Sequence, residues 1–138
     1  MGGHSQPRTH RGKERFPGMT ITYGLMEALE AIEAEAPNRA QVLPRAKVCR
    51  LLMEFGKVVG VEFEHGGQRH SAYGPVVIAT GGYAADFGAD SLLAKHRPDL
   101  VKMDISTTNG DHTTGDGIKM ALAIGASAID LEDRKSVV

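Results

Sequence analysis

The sequence has no tryptophan and a single cysteine, Cys49. An internal disulfide is therefore excluded, and with it a stapled secreted scaffold. Neither sign of charge is in excess, because 16 Lys and Arg stand against 17 Asp and Glu. That balance gives no broad basic face, so nucleic acid and anionic membrane surfaces are excluded as electrostatic partners. No apolar run approaches the roughly 18 residues of a membrane span. Met1 is not followed by a charged and then apolar leader, so no secretory signal is visible and a soluble, intracellular chain is expected. Nor is there much length. A chain of 138 residues fills one domain and leaves no room for separate cofactor and substrate domains. Glycine is what the sequence has in excess, with 17 residues where usual usage is about 7%.

Both ends read as irregular. Gly2-Gly3-His4-Ser5-Gln6-Pro7 has the character of a loop between elements, which predicts a part upstream of Met1. Asp133-Arg134-Lys135-Ser136-Val137-Val138 breaks the pattern before it and matches the peptide that a common sequencing adapter encodes in one frame. Residues 133–138 are expected to be a non-native tail, with the natural pattern ending at Glu132.

Between the ends, apolar residues at Ile21, Leu25, Leu29 and Ile32 form one stripe and predict an amphipathic helix over Gly18–Ala36, stopped by Pro37-Asn38. Val42–Pro44 is a short strand candidate. Val48–Met53, Val58–Glu64 and Gln68–Tyr73 form β runs joined by Phe55-Gly56-Lys57 and His65-Gly66-Gly67, which is a β-meander. Glu54, Glu62, Glu64 and Arg69 fall on its solvated side. Val76-Val77-Ile78-Ala79 is continuously apolar, as a strand buried on both faces would be. A second helical pattern spans Gly115–Gly125, and a strand is expected to follow it. The order predicts an α/β fold with an antiparallel insert.

Two glycine-bearing segments carry the chemistry. Ile78-Ala79-Thr80-Gly81-Gly82-Tyr83 lies at the end of the expected buried strand, where ligands of open α/β sheets sit. Paired glycines there let a phosphate or ribose approach the backbone, or simply let the chain reverse. The tract Thr107-Thr108-Asn109-Gly110-Asp111-His112-Thr113-Thr114-Gly115-Asp116-Gly117 runs directly into the second helix. Thr114 or Asp116 can cap that helix. Asp116 would repel a pyrophosphate but suits a ribose or ribityl hydroxyl, unless it only complements the helix dipole.

The remaining chemistry-bearing residues are less specific. Gly2–Arg11 holds His4, His10, Arg8 and Arg11, which could bind an anion, carry a proton or form an exposed basic loop. No set of residues has metal-ligand spacing. Cys49 reads as a small buried hydrophobe, and His65, His70, His96 and His112 as loop or surface residues.

Taken in order, Gly-Gly-His-Ser-x-Pro-Arg-Thr-His-Arg, a helix, a strand opening a meander, Ala79-Thr80-Gly81-Gly82-Tyr83, Ser106-Thr107-Thr108-Asn109 and Thr114-Gly115-Asp116-Gly117 resemble the fumarate reductase/succinate dehydrogenase flavoprotein family. The resemblance covers Gly2–Glu132 and is closest to the soluble fumarate reductases, including the NADH-dependent trypanosomatid type and the yeast type. It implies that residues 1–132 are the C-terminal part of an FAD/NAD(P)-binding domain of Rossmann-like type, incomplete and carrying a β-meander insert. It implies FAD as cofactor. Val48 then matches a position whose backbone meets the adenine, Ala79, Thr80 and Gly81 the turn on the adenosine side, and Thr108, Asn109 and Asp116 a later polar loop near FAD. Gly2–Arg11 matches a segment passing the isoalloxazine, which would bring His4 or Arg8 near the redox centre.

The departures from that family are equally informative. Its Gly-x-Gly-x-x-Gly unit is absent, as are its His-Pro-Thr segment and the Arg and His residues that protonate and clamp a dicarboxylate such as fumarate. The expected function is therefore a fragment of an FAD-dependent oxidoreductase, with no catalytic residue in this chain. A related flavoprotein dehydrogenase acting on a 3-ketosteroid, aspartate or another acid is the alternative, as is a non-catalytic nucleotide-binding remnant. A chain with half a core is expected to be marginally stable by itself.

Overall fold

The computed structural model describes residue 5, residues 16–103 and residues 107–132. The Gly2–Arg11 loop, Ser5 apart, and the tail at residues 133–138 lie outside the described residues. The chain forms two compact units, Met1–Arg45 and Ala46–Val138.

In the first unit, α1 spans Pro17–Glu35, close to the expected Gly18–Ala36. Pro17 occupies the first helical turn, where its fixed φ fits and its missing N–H costs nothing. At the other end Ala36 donates its N–H to the Ile32 carbonyl at 2.8 Å. No residue of α1 is buried, and Ile21 and Leu25 of the apolar stripe are 64% and 67% exposed. The expected strand at Val42–Pro44 does not form. Pro44 has no N–H for a ladder, and Arg45 follows at φ 57 in a turn.

The second unit begins with the meander. β1 (Lys47–Glu54), β2 (Lys57–His65) and β3 (Gln68–Tyr73) form an antiparallel sheet in the order β1-β2-β3. Both tight turns place consecutive residues at positive φ, Phe55 and Gly56 at 48° and 76°, Gly66 and Gly67 at 59° and 78°. That geometry matches the twist of the flanking strands. Leu51 and Gly60 are the buried residues of the sheet, and Leu51 stands opposite Val61. Irregularities in the β1–β2 register fall between Val48 and Arg50 and between Leu52 and Met53. On the solvated side Glu62 is covered by its own ion pairs, to Arg50 at 2.9 Å and Arg69 at 3.4 Å.

After the meander come α2 (Leu92–His96), α3 (Pro98–Lys102) and α4 (Asp116–Ala123). The core is Tyr83, Leu92, Leu93 and Leu100, with Ile118, Leu122 and Leu131 packed against it. Burying each of the leucines contributes about 1.5–3 kcal/mol. The polypeptide closes around this core through hydrogen bonds from the Tyr83 hydroxyl to the Leu131 carbonyl, and from Arg97 Nη1 to the Glu132 carbonyl at 3.1 Å.

The architecture is helices with a sheet, and among the described residues that sheet is wholly antiparallel. The expected buried strand at Val76–Ala79 is instead an unpaired segment, with Val77 88% exposed. An apolar run becomes a strand only against a partner, and no described strand pairs beside it. Residues 126–132 likewise form no strand, ending in a turn at Leu131 and Glu132. Cys49 is only half-buried, its thiol 3.4 Å from the Lys47 carbonyl. His70 in β3 and His112 in a loop are exposed on the surface as expected, while His65 in β2 and His96 in α2 are half-buried within elements.

Candidate functional site

The two glycine-bearing segments meet. Gly115 donates its N–H to the Gly82 carbonyl at 3.1 Å, and Ala85 donates to the Thr113 carbonyl at 2.9 Å. Gly117, in the first turn of α4, is packed so closely that a Cβ there would overlap Thr80 Oγ1 and stand 2.7 Å from Ile78 Cγ2. Glycine at position 117 is thus what allows α4 to touch the Ile78–Thr80 segment. The turn itself depends on Gly81 at φ 77, and a Cβ at Gly81 or Gly82 would meet nothing within 4 Å. The turn faces open space.

Beside this junction lies a cleft of about 340 Å³. Val48 and Leu51 of β1 and Val61 of β2 form one wall, Ile78 and Thr80 another, and Gly117 and Met120 of α4 the third. The lining is mostly apolar, with Tyr73 and Thr80 as its hydroxyl-bearing residues. A flat aromatic group with a polar rim suits such a cleft.

Of the residues singled out from the sequence, Val48 and Thr80 line the cleft together. Ala79 and Gly81 flank Thr80 and are exposed. Asp116 is exposed in the first turn of α4, where its Oδ1 accepts a hydrogen bond from Thr114 Oγ1 at 2.9 Å. Neither Thr114 nor Asp116 caps the helix. The N-cap is Gly115 at φ 74, with no side-chain cap, because the backbone needs the left-handed conformation there to reach Gly82. Thr108 and Asn109 are exposed, and Asn109 donates from its backbone and from Nδ2 to Thr107 Oγ1, both at 3.1 Å. Among the described residues no hydrogen bond ties Thr108 or Asn109 to the glycine junction, and no group of residues could hold a metal ion.

Sequence reasoning missed a buried polar cluster behind the junction. Asp86 is 2% exposed. Its Oδ2 accepts from the Leu92 N–H at 2.7 Å and its Oδ1 from Lys119 Nζ at 2.9 Å. Ser91 caps α2 by accepting from the Ala94 N–H, and its hydroxyl donates to the Asp86 carbonyl. The Asp86 carboxylate raises the Lys119 amine above its ordinary value, with Asp90 adding to the effect and burial opposing it. The local signal was Ser91 before Leu92-Leu93, a helix N-cap. Nothing local paired Asp86 with Lys119.

The FAD binding domain family matches residues 1–134. The chain belongs to that family. FAD is the cofactor of this domain. Among curated relatives, the fumarate reductase of Schizosaccharomyces pombe is 44% identical over 137 residues, covering 96% of this chain and 26% of the yeast protein. Fumarate reductase 1 of Saccharomyces cerevisiae is 31% identical, covering 96% of this chain and 28% of its own. The chain spans about a quarter of the length of these relatives. Among solved structures, the 3-ketosteroid-delta4-(5alpha)-dehydrogenase of Rhodococcus jostii RHA1 superposes with a TM-score of 0.67 at 25% identity, over 92% of this chain and 23% of that one. The FAD-binding assignment fits the geometry: Gly81 and Gly82 leave room for a ligand against the backbone. No helix among the described residues is long and apolar enough to cross a membrane.

Proposed function

We propose that this chain is the flavin-holding segment of an FAD-dependent oxidoreductase that reduces fumarate to succinate. The observation that carries the reading is the junction itself. Thr80, next to the open Gly81-Gly82 turn, and Gly117, next to Asp116 in α4, line one apolar cleft, and Gly115 and Gly117 bring their two segments together. Val48, Ala79, Thr80 and Gly81 would hold the adenosine side, and Asp116, with Thr108 and Asn109, hydroxyl groups of the ribose or ribityl chain. Carboxylates accept well from such hydroxyls, and glycine backbone admits them closely.

Bound FAD supplies two-electron transfer, the exchange that fumarate reduction needs together with two protons. The chain's own part is to bind and orient the cofactor. In this reading the domain is half of a Rossmann-like fold, with Val76–Ala79 as a strand of its parallel sheet. A dicarboxylate substrate is supported by the names of the relatives. A 3-ketosteroid substrate is the second reading, favoured by the structural likeness to the Rhodococcus dehydrogenase.

The test is a titration of FAD into the chain, followed by flavin fluorescence, alongside Gly81→Val and Asp116→Ala. Each substitution is expected to weaken binding by about tenfold or more with helix content unchanged. Equal binding by all the proteins would sink the assignment of the site. On a chain extended to the relatives' full length, reoxidation of reduced flavin by fumarate, but not by a 3-ketosteroid, separates the two substrates.

A further inference from the structure

The Asp86–Lys119 pair, with its carboxylate buried and its amine half-buried, ties the loop after the Gly81-Gly82 turn to α4. Lys119 is fixed twice. Its backbone N–H donates to the Gly115 carbonyl at 2.9 Å, and its amine reaches Asp86 at 2.9 Å. Asp86 is fixed on the other side, through its own N–H to the Tyr83 carbonyl at 3.2 Å and through the Leu92 N–H to its carboxylate. The loop that leaves the Gly81-Gly82 turn is therefore latched to the first turn of α4, the turn that carries Asp116 and Gly117. A buried ion pair is a poor source of net stability, since two apolar residues of similar volume usually do as well or better. What it supplies that an apolar pair does not is a directional contact at a set distance.

We propose that the Asp86–Lys119 pair is a positioning device for the flavin site, holding Asp116 and Gly117 in register with the Thr80–Gly81 turn. The inference rests on the flavin reading above. Neither residue touches the cofactor in this scheme. Asp90, the second partner of Lys119 at 3.2 Å, has a side chain 81% exposed, so solvent weakens its hold and the proposal assigns the latch to Asp86.

The test compares the unsubstituted chain with Lys119→Met, Lys119→Arg, the double variant Asp86→Leu/Lys119→Met, and Asp90→Asn. For each, FAD affinity, the visible circular dichroism of bound flavin and the unfolding temperature are measured. Lys119→Met is expected to weaken FAD binding about tenfold and to change the flavin dichroism, while Lys119→Arg restores both and Asp90→Asn changes neither. The double variant decides the point. It is expected to recover the unfolding temperature while keeping the weakened affinity and altered dichroism. A double variant that regains parental affinity along with stability overturns the proposal, and so does Lys119→Met binding FAD like the parent. If Lys119→Met does not fold, the contrast between Lys119→Arg and the double variant decides in the same way. If the unsubstituted chain binds no FAD, the flavin reading falls and this inference with it; a parent that binds while the double variant binds equally well removes only the latch.

Discussion

Gly117 and Thr80 are in such close contact that no larger side chain fits at position 117 without moving one of them. The contact brings the first turn of α4 onto the segment that precedes the Gly81 turn. It joins two stretches of sequence that each looked like an isolated glycine loop.

Gly117→Ala is therefore expected to destabilise the second unit by about 1–3 kcal/mol, the usual cost of overpacking. It should also weaken FAD binding, because Thr80 and Asp116 are pushed apart. Urea unfolding and an FAD titration on the same variant check both effects, and an unchanged midpoint would contradict the close packing.

Phe55 makes the opposite prediction. It sits at φ 48 and is fully exposed at the β1–β2 turn, so the backbone strain is not offset by packing. Asn tolerates that conformation and is favoured at this turn position. Phe55→Asn is expected to raise stability by about 1 kcal/mol, read as a higher thermal midpoint with no change in FAD affinity.

The Lys119 amine gives a pH dependence. Its value is raised above the ordinary 10.5 by the hydrogen bond to Asp86. A cation favoured by folding contributes its full stability below the unfolded value and loses it as pH climbs through the higher folded one. The difference in unfolding temperature between the parent and Lys119→Met should hold constant from neutral pH to about 10 and shrink above that. A difference that shrinks already between pH 7 and 9 would be inconsistent with the pair.

Tyr83→Phe removes the hydroxyl that donates to the Leu131 carbonyl while leaving the buried ring in the core. A loss of about 1 kcal/mol is expected. Exchange protection at residues near 131 should fall more than protection in the meander, which hydrogen exchange by mass spectrometry resolves.

The parts of the fold that were legible in the sequence are those whose reasons are local. The stripe Ile21-Leu25-Leu29-Ile32 marked α1, alternating residues with Phe55-Gly56 and Gly66-Gly67 between them marked the meander, and Ile118-Leu122 marked α4. Val76–Ala79 has the composition of a strand but is unpaired, because a strand needs a partner that the described residues do not supply. The helices α2 and α3 are five residues each, too short for a 3.6-residue period to show. The candidate site was legible as two separate motifs. Their meeting depends on Gly115 to Gly82 and Gly117 to Thr80, contacts between distant segments that no window of sequence contains. Asp86 and Lys119 were invisible for the same reason, since nothing near either in the sequence marks the other as its partner.

The tie between Tyr83 and Leu131 spans 48 residues, and its length bears on the order of folding. Each hairpin of the meander closes over a turn of a few residues, so its contacts form early and at little entropic cost. The contacts of Thr80 and Gly82 with the start of α4 form only once the longer loop between them has closed. The half of the unit that holds the glycine junction is thus expected to form later than the meander, and in the proposed reading a cofactor bound at the junction would stabilise that later-forming part.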